Sequence, residues 1–267
     1  MKNISDAKMF IIRFSFVMLV TLILLVFLQS SFTPEISCSL NKKPDTAMEI
    51  IKTRELEEGI PLIIDFHRGK THHHPLMAIW IEDMEENYIQ TLYVAKSIAK
   101  GIFEHGDIST GKWLPGEVRR PAALPYWSHK RNIQEEDGYY VPTAKTPMPD
   151  AVTGATPLKN FRLVTRANIQ EGKKFRVLME INQSFDWNEY WNNTKYPEDE
   201  QYKSSCQPSV IYAVTVNPED MEMSFHLHPT GHGHYSGKNG KLNTDLSTLT
   251  TALEIVEKAV VRIGRQK

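Results

Sequence analysis

A long apolar run near the start of the chain is its strongest hydrophobic signal. Residues 14–28 are apolar except for one serine and one threonine, and three basic residues precede them. This length is typical of the apolar part of a secretory signal, and counting from Met9 across Arg13 gives about 20 residues, enough to span a membrane. Because basic flanks stay in the cytoplasm, we expect residues 1–32 to be a signal or membrane-anchor helix, cleaved or retained. The rest is then periplasmic or on the outer face of the cytoplasmic membrane, anchored or secreted.

The pattern changes twice after this run. Residues 33–58 are polar, contain Pro34 and Pro44, and include a charged, helix-like stretch at 46–58. They predict a tether. From residue 59 onward, short apolar or alternating runs rich in β-branched and aromatic residues predict strands. These runs cover residues 60–66, 76–81, 89–94, 161–166, 175–181, 209–216 and 221–228.

The connections between these runs contain few helix signals. Residues 103–160 are rich in proline and glycine and predict long loops over a scaffold, with one short helix at 121–131. Near the end, Asp245 is a good N-cap for one short C-terminal helix reaching Glu257, and a closing strand follows at 259–263. Short strands without long helices between them favour a mainly β fold, an antiparallel immunoglobulin-like β-sandwich over 59–267.

The charge balance and the absence of known motifs reduce the classes of function that the sequence supports. The 31 basic and 32 acidic residues give a net charge of −1, which offers no attraction to a phosphate backbone, so nucleic acid is not an expected partner. No Ser-His-Asp ordering, Walker loop, dinucleotide fingerprint or HExxH helix occurs, and the sequence predicts no catalytic residue. The two cysteines, Cys38 and Cys206, could pair in an oxidising compartment or remain separate thiols.

Four histidines lie close together near residue 230. Side chains alternate along a strand, so His226 and His228 share one face. If residues 229–231 form a turn, His228 faces His232 and His226 faces His234, and the four imidazoles converge on one side of a hairpin. Imidazole is a preferred ligand of zinc and copper. The hypothesis is a metal-binding hairpin, and the alternative is an edge hairpin whose exposed histidines bind nothing.

Two further clusters have both a functional and a structural interpretation. The loop that contains Trp187 and Trp191 could stack on sugar rings or contact a protein partner, or its tryptophans could cap the end of a sandwich core. The consecutive residues His72, His73 and His74 cannot all face one way, which favours a solvated loop over a metal site.

The segment Asp150-Ala-Val-Thr-Gly-Ala-Thr carries a specific resemblance. It resembles the acceptor motif of covalently flavinylated FMN-binding domains, such as those in sodium-pumping quinone reductase and Rnf complexes. In that family the last threonine forms a phosphoester with FMN, attached outside the cytoplasm by a magnesium-dependent flavin transferase. The resemblance implies Thr156 as the acceptor and Asp150, Thr153, Gly154 and Ala155 as recognition residues.

The residues after the motif depart from the family pattern. Pro157 and Leu158 stand where another serine or threonine is usual, and the rest of an FMN-binding domain is not recognisable. The alternative interpretation of the segment is a glycine-containing turn that leads into the strand at Phe161.

A wider resemblance covers residues 75–265 and is strongest in its first third. Trp80-Ile-Glu-Asp, Thr91-Leu-Tyr-Val, Arg120-Pro and Leu124-Pro-Tyr-Trp resemble the predicted periplasmic proteins grouped as domain of unknown function 2271. The genes of these proteins neighbour those of flavin transferases and PepSY-type membrane reductases. The resemblance therefore implies an accessory role in extracytoplasmic electron transfer, with a flavin transferase and a membrane redox protein as partners.

Overall fold

The computed structural model describes residues 48–264, which are mainly β. Within this range, no helix is long and apolar enough to cross a membrane. The predicted signal or anchor segment at 1–32 lies outside the described residues, and so does Cys38. The predicted topology and the predicted cysteine pair therefore stay predictions. Cys206 is buried and forms no disulfide with another of the described residues.

Two main sheets and one small sheet organise the described chain. The five-stranded sheet has the order β1-β8-β2-β13-β11, the six-stranded sheet the order β12-β10-β9-β3-β4-β7, and β5 pairs with β6. Neighbours are antiparallel except β1 with β8 and β4 with β7, which are parallel. The strands are β1 Glu49–Lys52, β2 Ile60–Arg68, β3 Leu76–Glu82, β4 Tyr88–Ala95, β5 Ile102–Asp107, β6 Leu114–Glu117, β7 Thr153–Gly154, β8 Phe161–Ala167, β9 Phe175–Asn182, β10 Val210–Val216, β11 Phe225–His226, β12 His228–His232 and β13 Val256–Ile263.

The two main sheets share one hydrophobic core. Leu62, Ile64 and Phe66 of β2 contribute from the five-stranded sheet, and alternate residues of β3 and β9 contribute from the six-stranded sheet. Every residue of β3 is buried, because its other face packs into a second core. There Ala78 and Trp80 meet the chain segment that follows β4. Strands buried on both faces lose the simple alternation of an exposed sheet.

Residues 48–264 contain three short α-helices outside the sheets: α1 Lys96–Lys100, α2 Pro125–Lys130 and α3 Glu200–Lys203. The short helix predicted within 121–131 is confirmed as α2. The prediction that the rest of 103–160 consists of loops is wrong in part, because β5 and β6 pair as a hairpin and β7 pairs with β4. The remaining loops lie around the second core. Trp80 and Trp127, both from the residues that carry the wider resemblance, are fully buried in that core.

The predicted C-terminal helix is wrong. Only a 3-10 turn, Thr251–Glu254, forms before β13 begins at Val256. The Asp245 carboxylate accepts from the Ser247 amide in a local turn instead of capping a helix. The bridge between His232 and Asn243 further holds the preceding chain in an extended form. The β-branched run that follows then pairs with β2.

The helix-like interpretation of 46–58 is also wrong, because Glu49–Lys52 form β1 and pair with β8. Thr53, which directly follows β1, helps to hold this part of the chain extended. Its buried hydroxyl donates to the Leu92 carbonyl oxygen (2.8 Å) and contacts the Thr165 hydroxyl (2.9 Å), so it bridges a strand of each main sheet. The predicted tether therefore contributes a strand to the globular body.

The connections differ between the two ends of the strands. At one end, segment 83–87 joins the paired strands β3 and β4, and segment 168–174 joins β8 of one main sheet to β9 of the other; we call it the short-turn end. At the other end, segments 69–75, 155–160 and 183–209 leave the sheets; we call it the long-loop end. Binding residues occur disproportionately on loops held by a rigid scaffold, and the predicted acceptor segment lies at the long-loop end.

Candidate functional site

The predicted flavin-acceptor segment runs along the edge of the six-stranded sheet. Asp150–Val152 form a 3-10 turn, and Thr153–Gly154 form the edge strand β7. Thr153 is paired with Val94 of β4, and Gly154 with Ala95. Ala155 and Thr156 then leave the sheet toward β8. The segment is thus a short extended strand that turns outward, which places the predicted acceptor just beyond the sheet edge.

Gly154 is required by a close approach to a buried ring. A Cβ at this position would lie 2.7 Å from Cε2 of Tyr93, closer than carbon atoms can pack. The Tyr93 hydroxyl donates to the carbonyl oxygen of Ala155 at 2.6 Å. Burial raises the pKa of Tyr93, so the hydroxyl stays a donor. Glycine and tyrosine together fix the backbone immediately before Thr156.

Asp150 is held at the start of the segment by a cation. Its carboxylate lies 2.8 Å from Nζ of Lys100 at the end of α1, and Lys100 also donates to the Met148 carbonyl oxygen at 3.2 Å. The hydrogen bond and charge of Lys100 lower the pKa of Asp150. The Thr153 hydroxyl donates to the Asp150 carbonyl oxygen at 3.4 Å. Two of the predicted recognition residues therefore contact each other.

Thr156 has an available hydroxyl. The residue is half-buried, and its side chain makes no hydrogen bond to any residue in the range 48–264. The next residue, Pro157, is buried, and its carbonyl oxygen accepts from Nε2 of His72 at 2.9 Å. Because a carbonyl can only accept, this nitrogen carries the proton. Burial lowers the pKa of His72, which favours the neutral ring.

The His72–His74 triplet joins two loops and does not form a cluster of exposed rings. His72 is buried, whereas His73 and His74 are exposed. The His73 amide donates to Oε1 of Gln183 at 2.7 Å, and Gln183 Nε2 donates to the Thr71 carbonyl oxygen at 2.9 Å. Segment 69–75 therefore connects the acceptor segment on one side with the loop after β9 on the other.

That loop presents aromatic rings to solvent. Phe185 and Trp187 are 55% and 50% exposed. Trp191, by contrast, is 5% exposed and its Nε1 donates to the Thr248 hydroxyl at 3.0 Å. The two tryptophans that the sequence grouped together thus have different roles: Trp191 caps the core, and Trp187 lies on the surface.

The predicted histidine hairpin is wrong. His226 belongs to β11 and pairs with Val260 of β13 in the five-stranded sheet. His228 begins β12, which pairs with β10 in the six-stranded sheet. Residues 229–231 are therefore strand and not turn, so His228 does not face His232 and His226 does not face His234.

The chain crosses between the sheets at the buried residue Leu227, which separates the two strands. Gly231 serves close packing, because a Cβ there would lie 2.5 Å from the Asn243 carbonyl oxygen. Across residues 48–264, no group of three or more His, Cys, Asp or Glu side chains is placed to hold a metal ion. The geometry that motivated a zinc or copper site is therefore not present.

A buried carboxylate near the long-loop end carried no recognisable sequence signal. Glu180 of β9 accepts from the amides of Tyr126 (3.1 Å) and Trp127 (2.7 Å) at the start of α2, and from the Ser209 hydroxyl (2.5 Å). Burial raises the pKa of Glu180 to about 7. Only its position between the apolar residues Met179 and Ile181 could have drawn attention to it.

Comparison with known proteins adds no relative from which these features could be interpreted. No family model, curated protein or solved structure matches the chain.

Proposed function

We propose that this protein carries FMN covalently on Thr156 and serves as an extracytoplasmic accessory of a membrane-linked redox system. The observation that carries the proposal is the Asp-x-x-Thr-Gly-Ala-Thr pattern at an exposed sheet edge, ending in a threonine whose hydroxyl has no partner among the described residues. A flavin transferase and a membrane redox protein are the partners this role requires. The bound flavin would supply one- and two-electron transfer.

The residues around Thr156 fit a phosphoester. Ala155 is small and exposed, so a transferase can approach the hydroxyl from solvent. Asp150 is the carboxylate within the motif, and its ion pair with Lys100 offsets the repulsion it would exert on a phosphate. In the attachment step the Thr156 oxygen bonds to the FMN phosphorus of a flavin dinucleotide donor. The bond from this phosphorus to the bridging pyrophosphate oxygen breaks, the nucleoside monophosphate leaves with that oxygen, and the hydroxyl proton of Thr156 is released. Tyr93 and Gly154 hold the backbone that presents this oxygen.

We infer that the body that carries the flavin is a β-sandwich. We interpret the five- and six-stranded sheets, which share one core, as the two layers of an immunoglobulin-like β-sandwich. In this arrangement the acceptor leaves one layer at β7 and enters the other at β8, so Thr156 lies on the connection between layers. The N-terminal segment 1–32 would keep this body at the membrane.

The test is the mass and absorbance of the full chain purified from its own host. We expect one FMN per chain by intact mass and a flavin spectrum that persists after denaturation. Thr156→Ala should abolish both, Thr156→Ser should retain the hydroxyl and some flavin, and Thr110→Ala, at an exposed threonine elsewhere, should match the wild type. A wild-type chain without flavin, from a host with an active transferase, would contradict the proposal.

A further inference from the structure

Two large aromatic side chains near the acceptor are left outside the core. Phe185 and Trp187 are each about half exposed, and every exposed Å² of apolar surface forgoes roughly 25 cal/mol of burial energy. The neighbouring Trp191 shows that the same loop can bury an indole, since its ring packs into the main core. Two exposed aromatic side chains on one loop make that loop a candidate binding surface.

The backbone beneath these rings is strained and tightly held. Phe185 and Cys206 both have φ of 64°, a left-handed conformation that costs about 1–3 kcal/mol in a residue other than glycine. The Phe185 amide donates to the Ser205 carbonyl oxygen at 2.7 Å. The buried Gln207 side chain donates to the Gln183 carbonyl oxygen (3.1 Å) and to the Asp186 carboxylate (3.3 Å). The surrounding structure thus fixes the rings in an outward position.

The Trp187 side chain is only partly covered by the protein. It is 50% exposed, so about half of its surface is buried against the loop while the other half stays accessible. A partly buried ring with an open surface is preorganised for stacking.

Hydrogen bonds connect this loop to the acceptor segment. Pro157, which follows Thr156, accepts from His72, and the next residue, His73, donates to Gln183, two residues before Phe185. The two segments also leave the strands at the same long-loop end. A planar group tethered to Thr156 through a flexible chain would therefore lie at the same end of the strands as these rings.

We propose that Phe185 and Trp187 form the stacking surface for the isoalloxazine ring of the flavin attached to Thr156. This inference rests on the proposed function. The phosphate and ribityl chain of FMN separate the ring from Thr156, so the ring lies beyond the attachment point. Planar aromatic rings prefer offset stacked or edge-to-face contacts. The isoalloxazine is planar and electron-poor, and the indole is electron-rich, so Trp187 is the main contact.

Other exposed aromatic rings fit this role less well. Tyr190 has the Lys195 ammonium 3.1 Å from its ring centroid, so a cation already covers one face. Trp113 is 68% exposed but lies in the connection between β5 and β6, and it contacts His105. Trp113 is therefore the matched control for a ring that is exposed but not part of the stacking surface.

The experiment measures flavin fluorescence of the flavinylated full chain. An indole stacked on a flavin donates an electron to the excited ring and takes it back, which quenches emission. We expect weak emission from the wild type, a several-fold increase in Trp187→Ala, a smaller increase in Phe185→Ala, and no change in Trp113→Ala. Intact mass of each sample establishes that each variant carries one flavin, and Trp187→Phe retains a ring where Trp187→Ala fails to fold.

The outcomes separate the two proposals. A flavinylated wild type with bright emission, or Trp187 variants whose emission equals that of the wild type, would overturn the stacking surface and leave the attachment at Thr156 intact. The loop would then be assigned to contact with a protein partner or glycan. A wild type that gains no mass would overturn both proposals.

Discussion

Glu82 and Glu180 lie on neighbouring strands, both without solvent exposure, yet they are satisfied in opposite ways. Glu82, at the short-turn end, is ion-paired with Arg176 at 3.2 Å and Lys130 at 3.5 Å, and accepts from Trp80 Nε1 at 3.0 Å. Glu180, near the long-loop end, receives hydrogen bonds from neutral donors only. Burial raises the pKa of both carboxyl groups.

The difference extends to the chain around each carboxylate. The short-turn end is closed by a local turn in which Asp83 accepts from the amides of Glu85 and Asn87. The long-loop end contains the strained Phe185, the exposed Trp187 and the available Thr156 hydroxyl. One end is therefore organised for stability, and the other keeps features that cost stability and suit a ligand.

The largest expected effect comes from breaking the charge pairing at the short-turn end. Arg176→Met removes one of the two cations that pair with buried Glu82. We expect the unfolding free energy to fall by about 3–4 kcal/mol, the lower part of the range for removing one partner of a buried ion pair, because Lys130 still compensates part of the charge. Urea unfolding measures this. Lys52→Met is the control, because its pair with Glu55 is exposed and contributes about 0–1 kcal/mol. Equal effects of the two substitutions would refute the contrast.

The second prediction concerns pH and Glu180. Because the folded state raises the pKa of Glu180 from 4.5 to about 7, the folded chain retains a proton that the unfolded chain releases. This contribution to stability is fully present below pH 4.5, falls as the pH rises toward 7, and is lost above it. The total change is on the order of 3 kcal/mol.

The measurement for Glu180 is a difference between two pH profiles of unfolding free energy. Glu180→Gln cannot titrate, so subtracting its profile from that of the wild type removes the contributions of all other groups. We expect the difference to decline with pH over the stated window. Parallel profiles would show that Glu180 does not change its protonation between the folded and unfolded states.

The sequence could predict the features of the fold that have a local signal. Strands β2, β3, β4, β8, β9 and β10 were predicted because β-branched and aromatic runs are a local signal. The strands β1, β7 and β12 were missed because each depends on a distant partner: β1 pairs with β8, β7 with β4, and β12 with β10. The hairpin of β5 and β6 was missed for another reason, because its strands contain glycine and proline and have the composition of a loop. Pro229 within β12 was taken as a turn signal, yet β12 is an edge strand, where proline is tolerated.

The candidate site likewise has a part that depends on local sequence and a part that depends on distant residues. The predicted acceptor segment could be recognised because its residues are consecutive. The environment of Thr156, by contrast, comes from Tyr93, His72 and Gln183, which lie far from it in the chain. Nor could composition separate Trp187 from Trp191, since burial is decided by the loop conformation at Phe185. The sequence therefore suggested the attachment that we propose, but it did not predict the surroundings of the segment.

The third prediction tests the close approach at the acceptor. Gly154→Ala places a methyl group against the buried ring of Tyr93, and we expect a loss of about 1–3 kcal/mol, typical of overpacking. Flavin content by intact mass should fall as the segment shifts. Combining it with Tyr93→Leu, which removes the ring, should cost less than the sum of the single changes. Simple additivity would indicate that the ring does not constrain Gly154.

The smallest expected effect isolates the strain at the long-loop end. Phe185→Gly and Phe185→Ala both remove the ring, but glycine adopts a φ of 64° freely, whereas alanine retains most of the penalty. We expect the glycine variant to be more stable by about 0.5–1 kcal/mol after allowing for the greater entropy of glycine in the unfolded chain. Thermal unfolding compares the two variants. The same pair of substitutions at Trp187, whose φ is not positive, should favour alanine. If alanine were also favoured at position 185, the outward position of the ring would owe nothing to backbone strain, and the loop could not be regarded as held open against its own preference.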